Sequence, residues 1–261
     1  MSIGTAKPGQ SELSRAQHYF IDSHSIQNVY NSGQFETEGL KKLEEIFNEH
    51  EYCIAVGGSG LYINALCYGI DEIPTNNEIK NLLIERWQNE GLEILQEQLL
   101  KVDPEFYHDA DIKNPRRVIR ALEVYETSGK PYSFYRKNQP KPRDFETIWF
   151  GLNLPREILF ERIHKRVDQM IEDGLVDEVN KLSAFQHLKA LNTVGYSELF
   201  DFINGDISLE KAIELIKRNS RHYAKKQVVW FKKNNEIQWV KPSEVDEMIS
   251  KINQKFLQIN F

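Results

Sequence analysis

Four clusters in the sequence carry side chains able to do chemistry. Residues 56–62 read VGGSGLY. An apolar run feeding a glycine turn and then a helix leaves backbone N–H groups facing whatever sits above the helix start, which suits an anion. Gly57 and Gly58 let a ligand approach the backbone, and Ser59 adds a hydroxyl. The pattern is neither GxGxxG nor GxxxxGKS/T, so a plain strand-to-helix turn explains it equally well. Arg162 and Arg166, four apart in ERIHKRVDQM, share a helix face beside the apolar stripe Leu159, Ile163, Val167, Met170 and Ile171. Two planar guanidinium groups one turn apart match the oxygens of a diphosphate. An ion-paired surface helix has the same spacing. Residues 218–234, RNSRHYAKKQVVWFKKN, interleave cations with His222, Tyr223, Trp230 and Phe231. Cations hold phosphates and rings stack on unpaired bases, a combination that grips single-stranded RNA loops. The alternative is an amphipathic helix with Tyr223, Val228, Trp230 and Phe231 in the core. NPRRVIR, 114–120, with the basic loop KPYSFYRKNQPKPR, 130–143, forms a second such cluster. No zinc-ligand spacing, HExxH motif or Ser-His-Asp arrangement is present, and the seven histidines are scattered.

Charge is distributed unevenly. The net charge of −6 over 261 residues argues against nucleic acid if taken as an average. Yet residues 113–143 hold nine Lys/Arg against Glu123 and Glu126, and residues 215–233 hold seven Lys/Arg and no acid. An acidic body with two basic segments suggests a localised polyanion site, because phosphates are held by clustered charge. Two solvated helix faces give the same count.

The elements that must position these groups follow from periodicity. Residues 32–50 predict a helix, EYCIAV (51–56) a short buried strand, and LYINALCYGI (61–70) a helix after the glycine turn. That order is the grammar of an α/β sheet covered on both faces. Residues 76–127 are helical in pattern almost throughout, with Asn114 as a cap, Pro115 at the first helical position and Gly129 as a stop. Strand pattern returns at TIWFGLNL (147–154), followed by one long helix over 156–182, another from Ser208 to about Asn234, a strand at 236–240, and a closing helix over 243–259 capped by Ser243. The fold class is therefore α/β, with a core from residues 1–72 and 145–261 and an all-helical insertion over 73–144. Hydrophobic residues make up 40%, and no apolar run approaches the ~18–20 residues that span a bilayer. No secretory signal pattern is visible. Cys53 and Cys67 match no CxxC spacing and are expected to be core thiols in a reducing cytosol.

Six stretches taken together, IGTAKP (3–8), VGGSGLY (56–62), NPRRVIRALEV (114–124), DQMIEDGLVDEV (168–179), NTVGY (192–196) and YAKKQVVWF (223–231), resemble the bacterial tRNA dimethylallyltransferases, the tRNA isopentenyltransferase family. They run in order from residue 1 to about 240. The resemblance implies a P-loop-kinase-like parallel sheet core with a helical insertion that grips the tRNA anticodon stem-loop. It implies transfer of the dimethylallyl group from dimethylallyl diphosphate to N6 of adenosine 37, assisted by Mg2+, by a cytoplasmic, monomeric protein with no membrane partner. It assigns catalytic roles to Arg166 and Ser59, and diphosphate binding to Arg162, Arg166, Gly57 and Gly58. tRNA contact falls to Lys7, Ser59, Lys80, Arg116, Arg117, Arg120, Asn192, Thr193, Gly195, Tyr196, Arg221, Lys225, Lys226, Gln227 and Lys232. No protein metal ligand is assigned.

The chain departs from the family pattern at its start. The family places a strand, a GPTASGKT-like phosphate loop with its helix, and a strand ending in a DSxQVY-like segment ahead of IGTAKP, about 45 residues in all. No GxxxxGKS/T occurs in this sequence. The expectation is an N-terminally truncated core in which Met1 is an internal methionine. Two central strands would be missing, apolar faces exposed, and transfer by this chain alone crippled. Two alternatives stand beside it: an adenylate isopentenyltransferase, which the basic insertion disfavours, and a non-catalytic tRNA-binding fragment.

Overall fold

A computed structural model describes residues 1–5, 7–137 and 139–259, with side chains through Lys255. Helix dominates, and local signals explain where several of the helices start. Asn31 accepts from the backbone N–H of Gly33 (2.9 Å) and Gln34 (3.0 Å), the reciprocal arrangement that opens a helix. Asn114 accepts from Arg116 N–H, with Pro115 in the first turn, and Gly129 at φ 70° closes that helix. In chain order the elements are α1 (Gln10–Leu13), α2 (Ser32–Phe47), α3 (Gly60–Tyr68), α4 (Asn77–Glu90), α5 (Leu92–Val102), α6 (Pro104–Asp109), α7 (Pro115–Ser128), α8 (Tyr132–Tyr135), β1 (Phe150–Leu152), α9 (Arg156–Glu172), α10 (Leu175–Lys181), α11 (Tyr196–Ile203), α12 (Leu209–Phe231), β2 (Gln238–Val240) and α13 (Val245–Ile259).

The chain divides into two compact units, one of residues 1–63 and 145–261, the other of residues 64–144. In the first, Val167, Leu175, Val179, Leu191, Tyr196, Leu199, Phe200, Ala212 and Ile216 form the core, so α9 to α12 pack on one another. Among the described residues its sheet is one parallel pair, Phe150 opposite Gln238 through Leu152 opposite Val240. Gly151 is required there, because a Cβ would come within 2.8 Å of the Trp239 ring. In the second unit, Leu83, Leu95, Leu99, Phe106, Val118, Ile119, Ala121 and Leu122 bring α4, α5, α6 and α7 together. Asp103, almost fully buried, accepts from Phe106 N–H (3.0 Å) and Ser133 N–H (2.9 Å) and so ties α6 to α8. Among the described residues no helix is long and apolar enough to cross a membrane.

Three expectations need correction. Residues 51–56 join no ladder, and Ile54 and Val56 are 80% and 93% exposed. An apolar run becomes a strand only beside a partner that takes its N–H and C=O groups, and no described strand lies alongside. Cys53, on that segment, is exposed rather than a core thiol, while Cys67 is half-buried. The single helix predicted over 156–182 is two, because Gly174 takes φ 95° and turns the chain between α9 and α10. The structure is thus mostly helical with a small parallel sheet, in keeping with an α/β class.

Each core should behave as a close-packed interior. Leu122→Ala in one unit and Leu199→Ala in the other, both fully buried, are each expected to lower the unfolding free energy by about 2–5 kcal/mol. Denaturant titration of the full chain measures this, and a loss under about 0.5 kcal/mol would place the side chain outside a tightly packed core.

Candidate active site

The first unit gathers several of the sequence-assigned residues around the turn at residues 2–5. Thr5 closes that turn, its hydroxyl donating to the Ser2 carbonyl at 3.0 Å. Arg166, on the exposed face of α9, donates from Nη2 to the Thr5 carbonyl at 2.8 Å. Arg162 lies one helical turn back on the same face, also exposed. Beneath the turn sits Glu178 of α10. Its Oε2 accepts from Ser2 N–H (2.8 Å) and Ile3 N–H (3.0 Å), and its Oε1 from Gly4 N–H (3.3 Å) and the Tyr196 hydroxyl (2.5 Å). Burial pushes the Glu178 carboxyl up, but the Tyr196 hydroxyl and the three backbone donors outweigh it and hold its pKa below the ordinary value. The stability this contributes is present above the ordinary glutamate range and is lost as pH falls through the depressed value. Burial, then the hydrogen bond to Glu178, raises the Tyr196 pKa well above the usual phenol value. Tyr196 is fully buried, so its side chain packs and donates inside the protein. Asn192 and Thr193 of the same NTVGY stretch are exposed, and Gly195, at φ 98°, donates to Glu198 at 2.8 Å.

Lys7 follows the turn and pairs with Asp22 at 2.8 Å. Phe20 and Asp22 both take left-handed backbone conformations, φ 62° and 51°, unusual for residues with a Cβ. The loop is held by rings: Phe20 meets Phe35 edge-on at 5.4 Å, Phe35 meets Tyr62 at 5.4 Å, and the Tyr62 hydroxyl donates to the Tyr30 carbonyl at 3.2 Å. Tyr30 donates to Glu38 at 3.0 Å, and burial with that carboxylate pushes its pKa up to about 12.

The glycine bend is organised by α12. Gln227 donates from Nε2 to the Gly58 carbonyl at 2.9 Å. A Cβ on Gly58 would overlap the Gln227 amide, and one on Gly60 would overlap the Trp230 indole. These glycines therefore admit α12 side chains to the backbone. Ser59 is exposed at the start of α3, its carbonyl accepting from Tyr62 N–H (3.0 Å) and Ile63 N–H (3.1 Å). Two groups result, Arg166 and Lys7 about the 2–5 turn, and Gly57, Gly58 and Ser59 against Gln227 and Trp230. Among the described residues no hydrogen bond or ion pair joins them.

The basic segments are only partly available to a ligand. On α12, Lys217 pairs with Asp168 at 2.5 Å, while Arg221 contacts His164 and lies 5.8 Å over the Phe160 ring. Lys225, Lys226, Lys232 and Lys233 are exposed and make no ion pair among the described residues. In the second unit, Arg120 pairs with the buried Glu123 at 2.9 Å and donates to the Ile73 carbonyl at 3.2 Å. Arg143 donates to the Leu66 and Ala65 carbonyls, both at 2.9 Å, satisfying the end of α3. Arg136 pairs with Asp109 at 2.8 Å. Arg116 and Arg117 at the start of α7, and Lys80 on α4, remain exposed.

Sequence reasoning assigned no role to Glu178, Asp22 or His164, and read Trp230 as a stacking or core ring rather than as the neighbour of Gly60. Glu178 stood inside the quoted DQMIEDGLVDEV, but nothing in its spacing foretells three backbone donors from a turn 174 to 176 residues away. Among the described residues no group of three or more His, Cys, Asp or Glu is placed to hold a metal.

The first unit thus holds a cationic helix facing a backbone turn and a second cationic helix closing a glycine bend. The IPP transferase family model matches residues 1–234, and the chain belongs to that family. It is 46% identical over 260 residues to a tRNA dimethylallyltransferase of Christiangramia forsetii, covering 97% of this chain and 86% of the relative. It is 43% identical over 250 residues to tRNA dimethylallyltransferase 1 of Bacteroides thetaiotaomicron, covering 95% and 81%. Among solved structures it resembles the tRNA isopentenylpyrophosphate transferase of Bacillus halodurans, with 31% identity and a TM-score of 0.69 over 99% of this chain and 84% of the other.

The closeness of Gly60 to α12 is testable. Gly60→Ala should destabilise the chain by roughly 1–3 kcal/mol through overlap with Trp230. Pairing it with Trp230→Ala should recover most of that loss, giving a coupling above about 0.5 kcal/mol in a double-mutant cycle. Additive effects would separate the bend from the indole.

Proposed function

We propose that this chain transfers a dimethylallyl group from dimethylallyl diphosphate to N6 of an adenosine in the tRNA anticodon stem-loop, adenosine 37, working in the cytoplasm as a monomer. The observation that carries this is the family match across residues 1–234 together with relatives at 43–46% identity named tRNA dimethylallyltransferase. The reaction forms a bond between N6 and the allylic carbon while the bond from that carbon to the diphosphate oxygen breaks. The diphosphate leaves with the electron pair, and the proton shed by N6 passes to a general base. An exocyclic purine amine is a weak nucleophile, so departure of the diphosphate must be made easy. Cations and backbone donors facing the leaving oxygens do this. In our reading Arg166 and Arg162 supply the cations, and the Gly57–Ser59 bend supplies the backbone donors.

The base must leave its stack to reach the allylic carbon. Exposed Lys225, Lys226 and Lys232 in one unit, and exposed Arg116, Arg117 and Lys80 in the other, are the groups we assign to the RNA backbone. Tyr196 in the first unit and Arg120 in the second are engaged with acids of the protein and take supporting parts, each within its own unit. A P-loop-kinase-like ancestry of the α/β unit belongs to this reading. Mg2+, which the resemblance implies, finds no preformed cage among the described residues. Magnesium that arrives with a diphosphate does not need one. Charge compensation is accordingly argued from the chain's own cations.

Incubating the chain with dimethylallyl diphosphate and either an anticodon stem-loop or AMP tests the proposal. Product on the stem-loop and none on AMP is the expected result; product on AMP alone would make the chain an adenylate isopentenyltransferase, and RNA binding without product a non-catalytic binder. Arg166→Ala should raise the KM for the allylic diphosphate by about tenfold or more, the loss of a charge-assisted contact worth roughly 1.5–3 kcal/mol. Affinity for the stem-loop should change less than about twofold; the reverse pattern would reassign Arg166 to the RNA. Arg116→Ala combined with Arg117→Ala should weaken stem-loop binding and flatten its salt dependence.

A further inference from the structure

The 2–5 turn has no secondary structure of its own, yet it carries the carbonyl that holds Arg166. Its position is set from below. Glu178 spends both carboxylate oxygens upward, on three successive backbone N–H groups and one phenol. Hydrogen bonds to an ionised carboxylate are roughly twice as strong as neutral ones. The turn also lies directly on the Tyr196 ring, close enough that a Cβ at Gly4 would overlap that ring. Ile3 packs against the core beside it. Carboxylate and ring, joined by a hydrogen bond, hold the same few backbone atoms, and Gly4 lets the ring come close. α10 needs none of these bonds to form, since its ladder is internal. The arrangement therefore serves the turn.

We propose that Glu178, held by Tyr196, is a positioning residue for Arg166: it docks the 2–5 turn so that the Thr5 carbonyl aims the guanidinium toward the allylic diphosphate. One Nη is fixed by that carbonyl at 2.8 Å. The guanidinium has five N–H donors in a rigid fork, so holding one sets the direction of the rest. A guanidinium on an exposed helix face otherwise samples many rotamers, and binding a diphosphate would have to arrest them. This inference rests on the diphosphate role given to Arg166 above; the docking of the turn does not.

Glu178→Gln tests it, with Tyr196→Phe as a milder companion. The amide keeps the shape but removes the charge and one acceptor oxygen. Two measurements on the full chain separate the parts. Amide hydrogen exchange of the segment containing Ile3 and Gly4 should speed up about tenfold or more in Glu178→Gln while the α12 amides stay protected. Unchanged exchange in the turn would overturn the docking. Calorimetric titration with inorganic pyrophosphate should show a Kd about five- to tenfold weaker in Glu178→Gln. In an Arg166→Ala background the same change should have no further effect, the signature of action through Arg166. Faster exchange with an unaltered pyrophosphate Kd would sink the positioning role while leaving the diphosphate site intact. Absence of pyrophosphate binding by the wild-type chain would remove the diphosphate role itself. A loss that adds fully to that of Arg166→Ala would mark Glu178 as a purely structural residue.

Discussion

The pairing of α9 with α12 is the constraint on which the candidate site depends. Val167, Ala212 and Ile216 lie in the core these helices share. Once that seam is buried, the remaining faces of both helices are fixed in direction. α9 then presents Arg162 and Arg166 on its exposed side. α12 presents Gln227 and Trp230 to the glycine bend and its lysines to solvent. Lys217 on Asp168 reinforces the seam, and Asn219 ties α12 to α11 by donating to Glu198 at 2.7 Å. Burial of such apolar side chains contributes roughly 1.5–3 kcal/mol each, more than an exposed ion pair of up to about 1 kcal/mol. The apolar seam therefore decides the geometry, and the charged groups inherit it.

What could be read from the sequence was whatever is decided locally. The helices at 32–47, 115–128 and 209–231 announce themselves by periodicity and by Asn31, Asn114, Ser208 and Gly129 at their ends. The two strands were located but overestimated in length, since only three residues of each find a partner. Residues 51–56 failed for the same reason: an alternating or apolar run states a preference, and the ladder is a property of two segments. Gly174 was visible as a residue, but its left-handed turn, and hence the break between α9 and α10, was not foretold. The motifs fall on the glycine bend, α7, α9 and α12, while the contacts that orient them were hidden. Glu178 with its backbone donors, and Gly60 under Trp230, are long-range facts.

Charge was the most overread signal. Counting Lys and Arg located two basic segments correctly, but a count does not say which cations face outward. Arg120 and Arg143 are committed to carbonyls and a buried acid in the second unit, and Lys217 and Arg221 to α9 in the first. Arg120 and Arg143 thereby satisfy groups that would otherwise be unpaired inside the protein. The exposed remainder, Lys113, Arg116, Arg117, Lys130 and Lys137 in one unit and Arg218, Lys225, Lys226, Lys232 and Lys233 in the other, is smaller than the count and lies on helices and the turns and loops that flank them.

That division matters for what each group can do. A guanidinium fixed by a carbonyl or carboxylate has lost its rotamer freedom in advance, and binds an anion without a further ordering cost. An exposed lysine keeps that freedom and contributes through long-range, salt-screened attraction. Arg166, tied to the Thr5 carbonyl, belongs to the first kind. The lysines at 225, 226, 232 and 233 belong to the second. The first suits a small, compact anion whose oxygens must be placed to within fractions of an ångström. The second suits an extended polyanion that can settle in several registers before its reactive base is drawn in. A transferase that moves a group from a small anionic donor to a large nucleic acid has use for one of each, and the two kinds of cation occur here on neighbouring helices.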